Sequence, residues 1–160
     1  MDTRSDKQNT ADDLSGRPEE ILTVAQCWAA LRQGVVGRVA VVHDRRPDIF
    51  PVNYAVDHGS LVFRSGSGTL FRSSDGAFVA LEVDGYDTSD ATAWSVVVRG
   101  VANEVYELDD ALAAMRLPLY PWHDAPKPRI MRIHPDSLSG RRFHVRGGHV
   151  VAPDPSQRER

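Results

Sequence analysis

Nine consecutive residues, Arg64-Ser65-Gly66-Ser67-Gly68-Thr69-Leu70-Phe71-Arg72, carry two arginines, two glycines and three hydroxyl side chains. Glycines leave backbone N–H groups unobstructed, hydroxyls add further donors, and the arginines bring positive charge from either side. That set suits an anion such as a phosphate. A short helix over Thr69 to Asp75, with Thr69 as N-cap, would add its own leading N–H groups and dipole. Gly66 and Gly68 serve equally well in a loop that only has to turn, and the residues alone leave both readings open.

Such a loop needs strands to aim it. Pro51-Val52-Asn53-Tyr54-Ala55-Val56 and Leu61-Val62-Phe63-Arg64 read as the two arms of a hairpin, joined by the turn residues Asp57-His58-Gly59-Ser60. Side chains alternate along a strand, so Val52, Tyr54 and Val56 share one face, and Asn53 and Ala55 the other. Upstream, Thr23-Val24-Ala25-Gln26 matches a capping box. Val24, Cys27, Trp28 and Leu31 recur at helical spacing, and Gly34 suits a stop. Cys27 falls on the apolar side of that helix, where a thiol is packing material rather than a nucleophile. Val35 to His43 is a valine-rich strand. Its Arg38 suits either a ligand contact or a cross-strand ion pair. Asp44-Arg45-Arg46-Pro47-Asp48 reads as a hairpin turn.

Downstream, Phe78 to Val83 is a strand and 84–92 a polar loop. Ala93 to Val105 is the longest β signal, bent at Gly100. Leu108 to Arg116 is a helix with Leu108, Leu112 and Met115 on one side. Leu117 to Pro128 is a proline-punctuated loop containing Trp122, and Arg129–His134 and Gly140–Arg146 are two final strands. Many short strands with glycine and proline turns predict a closed or half-closed antiparallel barrel, and successive strands lie too close for parallel crossovers.

The chain has 160 residues and a net charge of −3, which suits one domain and argues against a nucleic-acid field. No apolar run approaches the roughly 20 residues that span a bilayer. Residues 1–16 lack the apolar core of a signal peptide. A single cysteine excludes an internal disulfide. A cytoplasmic protein is the expectation, with a tail at 1–17, one domain at 18–146 and a loose tail at 147–160. The six histidines show no metal-type spacing.

Pro-Val-Asn-Tyr at 51–54, Phe-Arg-Ser-Gly-Ser-Gly-Thr at 63–69, Glu-Val-Asp-Gly-Tyr-Asp at 82–87, Trp-Ser-Val-Val-Val-Arg-Gly at 94–100 and Ser-Gly-Arg-Arg-Phe at 139–143 resemble, in this order, the pyridoxamine 5′-phosphate oxidase-like flavoproteins, and most of all their short actinobacterial, nitroreductase-like branch. The resemblance implies a mainly β (α+β) fold, a six- to seven-stranded antiparallel split β-barrel with short flanking helices. It also implies a homodimer with flavin mononucleotide (FMN) at the subunit interface, the dimer face coming from 94–105 and 117–128. Carried over by position, Val52 and Asn53 lie beside the isoalloxazine edge, and Phe63, Arg64 and Ser65 flank the ring and ribityl chain. Ser67, Gly68 and Thr69 approach the phosphate. Trp94 and Trp122 line the pocket from neighbouring segments or from the partner subunit.

One position departs from the family pattern. Where these proteins usually carry Gly-Thr-Lys, this chain has Gly68-Thr69-Leu70. The lysine is the expected charge partner of the phosphate, a contact worth about 1.5–3 kcal/mol. Arg72, two residues on, has the bidentate fork to take its place. The functions this leaves are an FMN-dependent oxidoreductase acting on a small molecule, a split-barrel protein holding a deazaflavin or haem, and a binding or sensing dimer without the flavin.

Overall fold

The computed structural model describes residues 19–119 and 127–145. The elements run β1 (Glu20–Ile21), α1 (Val24–Leu31), β2 (Val36–His43), β3 (Arg46–Asp57), β4 (Ser60–Ser65), α2 (Thr69–Ser74), β5 (Ala77–Asp87), β6 (Thr92–Glu104), α3 (Leu108–Met115) and β7 (Arg129–His144). The strands form one antiparallel sheet in the order β1-β7-β4-β3-β2-β5-β6, and β6 pairs again with β7, so the sheet closes on itself. This is the expected split barrel with all seven strands.

Alternation along the strands fills its interior. Val52 and Tyr54 of β3, Leu61 and Phe63 of β4, Leu81 and Val83 of β5, Val96 and Val98 of β6, and Met131 and Ile133 of β7 form the core, most of them with no exposed surface. β4 is buried on both faces. Its inner residues meet the barrel core, while Val62, with Ile130, is covered from outside by Ala114 of α3 and by Leu117 and Leu119.

The capping box of α1 forms in both directions: Gln26 N donates to Thr23 Oγ1 at 3.3 Å, and Thr23 N donates to Gln26 Oε1 at 2.8 Å. The helix buries Cys27, Ala30 and Leu31, whereas Val24, expected on the apolar face, is exposed. Burial pushes the Cys27 thiol pKa up. A Cβ at Gly140 would stand 2.7 Å from the thiol sulfur, so that glycine admits Cys27 to the wall of β7.

Tyr54 ties α1 to the barrel. Its hydroxyl donates to the Leu31 carbonyl at 2.6 Å, at the end of the helix where carbonyls lack intrahelical partners. Tyr54→Phe is expected to cost about 1–2 kcal/mol by leaving that buried acceptor unpaired. Burial also raises the Tyr54 pKa, so the folded protein holds the phenolic proton more tightly than the unfolded chain does. The Tyr54 contribution is therefore full below pH 10.0, the ordinary tyrosine value, and fades as pH rises through the folded pKa. Urea unfolding at neutral and at strongly alkaline pH checks this: the gap between wild type and Tyr54→Phe should narrow in alkali, and a constant gap would refute the linkage.

Several boundaries differ from the sequence expectation. Asp44 and Arg45 alone make the β2–β3 turn, both at positive φ (48° and 63°), as a two-residue hairpin loop matched to strand twist requires. Arg46, Pro47 and Asp48 already belong to β3. β5 runs on to Asp87 and meets β6 from Thr92, which shortens the expected 84–92 loop to a turn. The two expected final strands are one, β7. It passes Pro135 by a register shift opposite Arg99 and Gly100 of β6. β1, unexpected, pairs with Arg141 and Arg142 of β7 at the sheet edge.

Candidate functional site

β4 ends at Ser65 and delivers the chain into the 66–68 loop, from which α2 departs. Gly68, not Thr69, is the N-cap residue, and it carries no capping side chain. Thr69 is the first helical residue and is half-buried. Ser65 is buried, its hydroxyl donating to the Gly66 carbonyl at 3.0 Å. Ser67 and Gly68 are exposed. Arg72 reaches back along α2, and its Nη1 donates to the Ser67 carbonyl at 3.1 Å. Of the expected assembly, Ser67 and Gly68 thus form an exposed turn with the Arg72 guanidinium folded onto it, Thr69 stands half-buried beside them, and Ser65 is buried beneath.

β3 and β4 set the neighbouring wall. Asn53 and Arg64 line one small cleft with Leu119 and Lys127. Arg64 Nε donates to the Lys127 carbonyl at 3.0 Å, which pins the segment entering β7 against β4. Val52 and Phe63 point the other way, into the barrel core. What they bring to this wall is backbone. Leu70 likewise packs against the core, so the position of the family lysine is spent on apolar burial.

Trp94 lies elsewhere in the same chain. It starts β6, at the far end of that strand from Glu104, and lines a second cleft of about 610 Å³ with Gln33, Gly34, Gly85, Thr92 and Arg142 among others. Its indole lies flat against Gly85, where a Cβ would stand 2.5 Å from the ring. Trp122 falls outside the described residues.

Other arginines are spent on structure. Arg38 bonds Glu82 at 2.9 Å and Asp84 at 2.7 Å, the cross-strand alternative to a ligand contact. Arg141 and Arg142 pair with Glu19 and Glu20 across β1 and β7. The structure does assemble an Asp-His-Ser chain that the sequence does not announce: His43 Nδ1 is 2.9 Å from Ser73 Oγ, and its Nε2 is 3.4 Å from Asp44. Asp44 is 89 % exposed, so water screens its hold on the imidazole. The chain serves as a strut between α2 and β2.

The residue that sequence reasoning missed at the loop is Arg129. Its Nε donates to Ser67 Oγ at 3.1 Å, although the two are 62 positions apart. Nothing local marks it, since the contact depends on β7 pairing with β4 at Ser65↔Arg129.

The donor set suits a phosphate-bearing group. It offers an exposed glycine turn, a helix start whose cap residue brings no side-chain bond, two hydroxyls and the Arg72 fork. Residues 23–142 match the pyridoxamine 5′-phosphate oxidase family model. With its seven-stranded split barrel, the chain belongs to this family. It is 35 % identical over 113 residues to an uncharacterised protein of Mycobacterium tuberculosis, covering 67 % of this chain and 74 % of the relative. Its fold is similar to that of an FAD-binding protein from Mycobacterium smegmatis, with a TM-score of 0.69, 32 % identity, and coverage of 78 % of this chain and 98 % of the other. An FAD-binding protein from Mesorhizobium loti is also similar, with a TM-score of 0.66, 25 % identity, and coverage of 81 % and 100 %. Among the described residues no helix is long and apolar enough to cross a membrane.

Proposed function

We propose that this chain is a flavin-binding oxidoreductase acting on a small molecule. The isoalloxazine would lie along the Asn53–Arg64 wall and the phosphate at Ser67, Gly68 and Thr69. The observation that carries this reading is the folding of Arg72 onto the Ser67 carbonyl. It sets a bidentate cation at the loop although position 70 is apolar. A bound flavin supplies the hydride or electron chemistry. The chain's own part is to hold the phosphate end through the loop, to fix Arg64 by its bond to the Lys127 carbonyl, and to present Asn53 on the adjoining strand. Trp94 is too far along β6 to join this cleft within one chain, which favours a homodimer in which the partner's copy completes the pocket.

FMN is the first candidate because the loop accounts for one phosphate. FAD is the second reading, favoured by the two similar structures that are FAD-binding proteins. The visible spectrum of the purified protein, FMN titration, and chromatography of acid-released cofactor decide between them. A deazaflavin or haem spectrum would redirect the assignment. A colourless protein that takes up no flavin would refute it. Arg72→Ala is expected to weaken FMN binding about tenfold to a hundredfold, the worth of one charge-assisted contact, and to spare riboflavin, which lacks the phosphate. Flavin fluorescence titration reads both, and equal loss for the two ligands would remove Arg72 from the phosphate site.

A further inference from the structure

Arg129 touches three elements at once. Nε reaches Ser67 of the loop at 3.1 Å. Nη1 bonds both carboxylate oxygens of Glu104, at the end of β6, at 2.9 Å each. The guanidinium carbon stands 4.0 Å from the ring centroid of Phe71 on α2. The Glu104 side chain is 10 % exposed, so this ion pair is shielded from solvent on the carboxylate side.

We propose that Arg129 is the positioning residue of the anion loop, fixing Ser67, and through it Gly68 and Thr69, in the geometry that receives a flavin phosphate. The inference rests on the flavin reading above. The division of labour follows from charge. Glu104 neutralises Arg129, so Arg129 brings placement rather than net positive potential, while Arg72, which pairs with a carbonyl and not a carboxylate, brings the charge. Only a planar, forked side chain can donate to a carboxylate, donate to a hydroxyl and stack on a ring together. A lysine, a point charge on a flexible stem, cannot.

Two consequences separate this role from generic stability. Loss of Arg129 should damage phosphate recognition specifically. The damage should also persist at high salt, where an exposed charge such as Arg72 is largely screened. The test compares wild type, Arg129→Ala and Arg129→Lys by FMN and riboflavin titration at low and high salt. Hydrogen exchange of the flavin-free proteins accompanies it. Both variants are expected to lose about tenfold in FMN affinity at either salt, with riboflavin affinity held within about twofold. The Arg72 amide, which donates to the Gly68 carbonyl at 3.1 Å, should exchange faster while those of Leu61–Phe63 stay protected. Arg129→Lys keeps the charge beside Glu104, so it carries the test if the alanine variant does not fold. An unchanged ratio of FMN to riboflavin affinity in Arg129→Lys, or unchanged exchange of the Arg72 amide, overturns the proposal. If wild type itself takes up no flavin, the functional reading fails, and exchange of the Arg72 amide alone decides whether Arg129 holds the loop.

Discussion

Gly100→Ala is expected to destabilise the protein by about 3 kcal/mol or more, lowering the thermal midpoint by roughly 10 °C for a domain of this size. At Gly100 a Cβ would stand 2.0 Å from the carbonyl oxygen of His134, 2.8 Å from its carbonyl carbon and 2.9 Å from Cα of Pro135. All three are backbone atoms, so no rotamer change relieves the overlap. The site is also where the β6–β7 ladder shifts register, with Gly100 opposite a proline that has no N–H to give. Only a bare backbone lets the strands pass this closely. Gly68→Ala is the contrast: a Cβ there meets nothing within 4 Å, and the cap φ of −82° is open to alanine. Its stability should change by no more than about 0.5 kcal/mol. Melting followed by circular dichroism settles both, and a Gly100→Ala midpoint close to wild type would mean that β6 and β7 do not approach so closely there.

Arg132→Ala should cost about 2–3 kcal/mol near neutral pH. Arg132 Nη1 bonds Asp57 Oδ2 at 2.7 Å and Ser60 Oγ at 2.6 Å, with the side chains of Arg132 and Asp57 only 14 % and 17 % exposed. Removing one member of a largely buried pair leaves Asp57 charged with only the exposed His58 beside it, which is worse than removing both. The hydrogen bond from Arg132 is the main reason that the Asp57 carboxyl lies below the ordinary aspartate range, with His58 adding to it. The contribution is therefore present above the unfolded value of 3.8 and is lost as pH falls through the lower folded pKa. Urea unfolding from neutral to acid pH should show the wild-type advantage shrinking below that value. An advantage that holds steady into acid would assign the cost to lost packing instead.

How much of this is legible in the sequence depends on how local the cause is. The Thr23–Gln26 capping box is decided by neighbours three residues apart, and it forms as its pattern reads. The faces of β3 follow from alternation, and Val52 and Tyr54 are buried on the side their parity shares. What fails is set by pairing with distant strands. Pro135 looks like an interruption in isolation, yet β6 alongside carries β7 past it. β1 is two residues long and exists only because the β7 edge is there. The loop itself was legible from its glycines and arginines. Arg129 was not, because its place beside Ser67 is a property of the β4–β7 register. The separation of Trp94 from the loop is likewise a matter of where along β6 each neighbour falls.

β7 bears on how the chain comes to exist at all. This one strand of 16 residues pairs with β1, β4 and β6, and it supplies Met131 and Ile133 to the core. Among the described residues it follows every other element of the sheet in chain order. Until it emerges from the ribosome, β4 and β6 both present open edges, of the kind that recruit other chains. Before that point the nascent sheet stays unclosed. Closure then comes late, through contacts between segments far apart in sequence, the slow kind of contact to form.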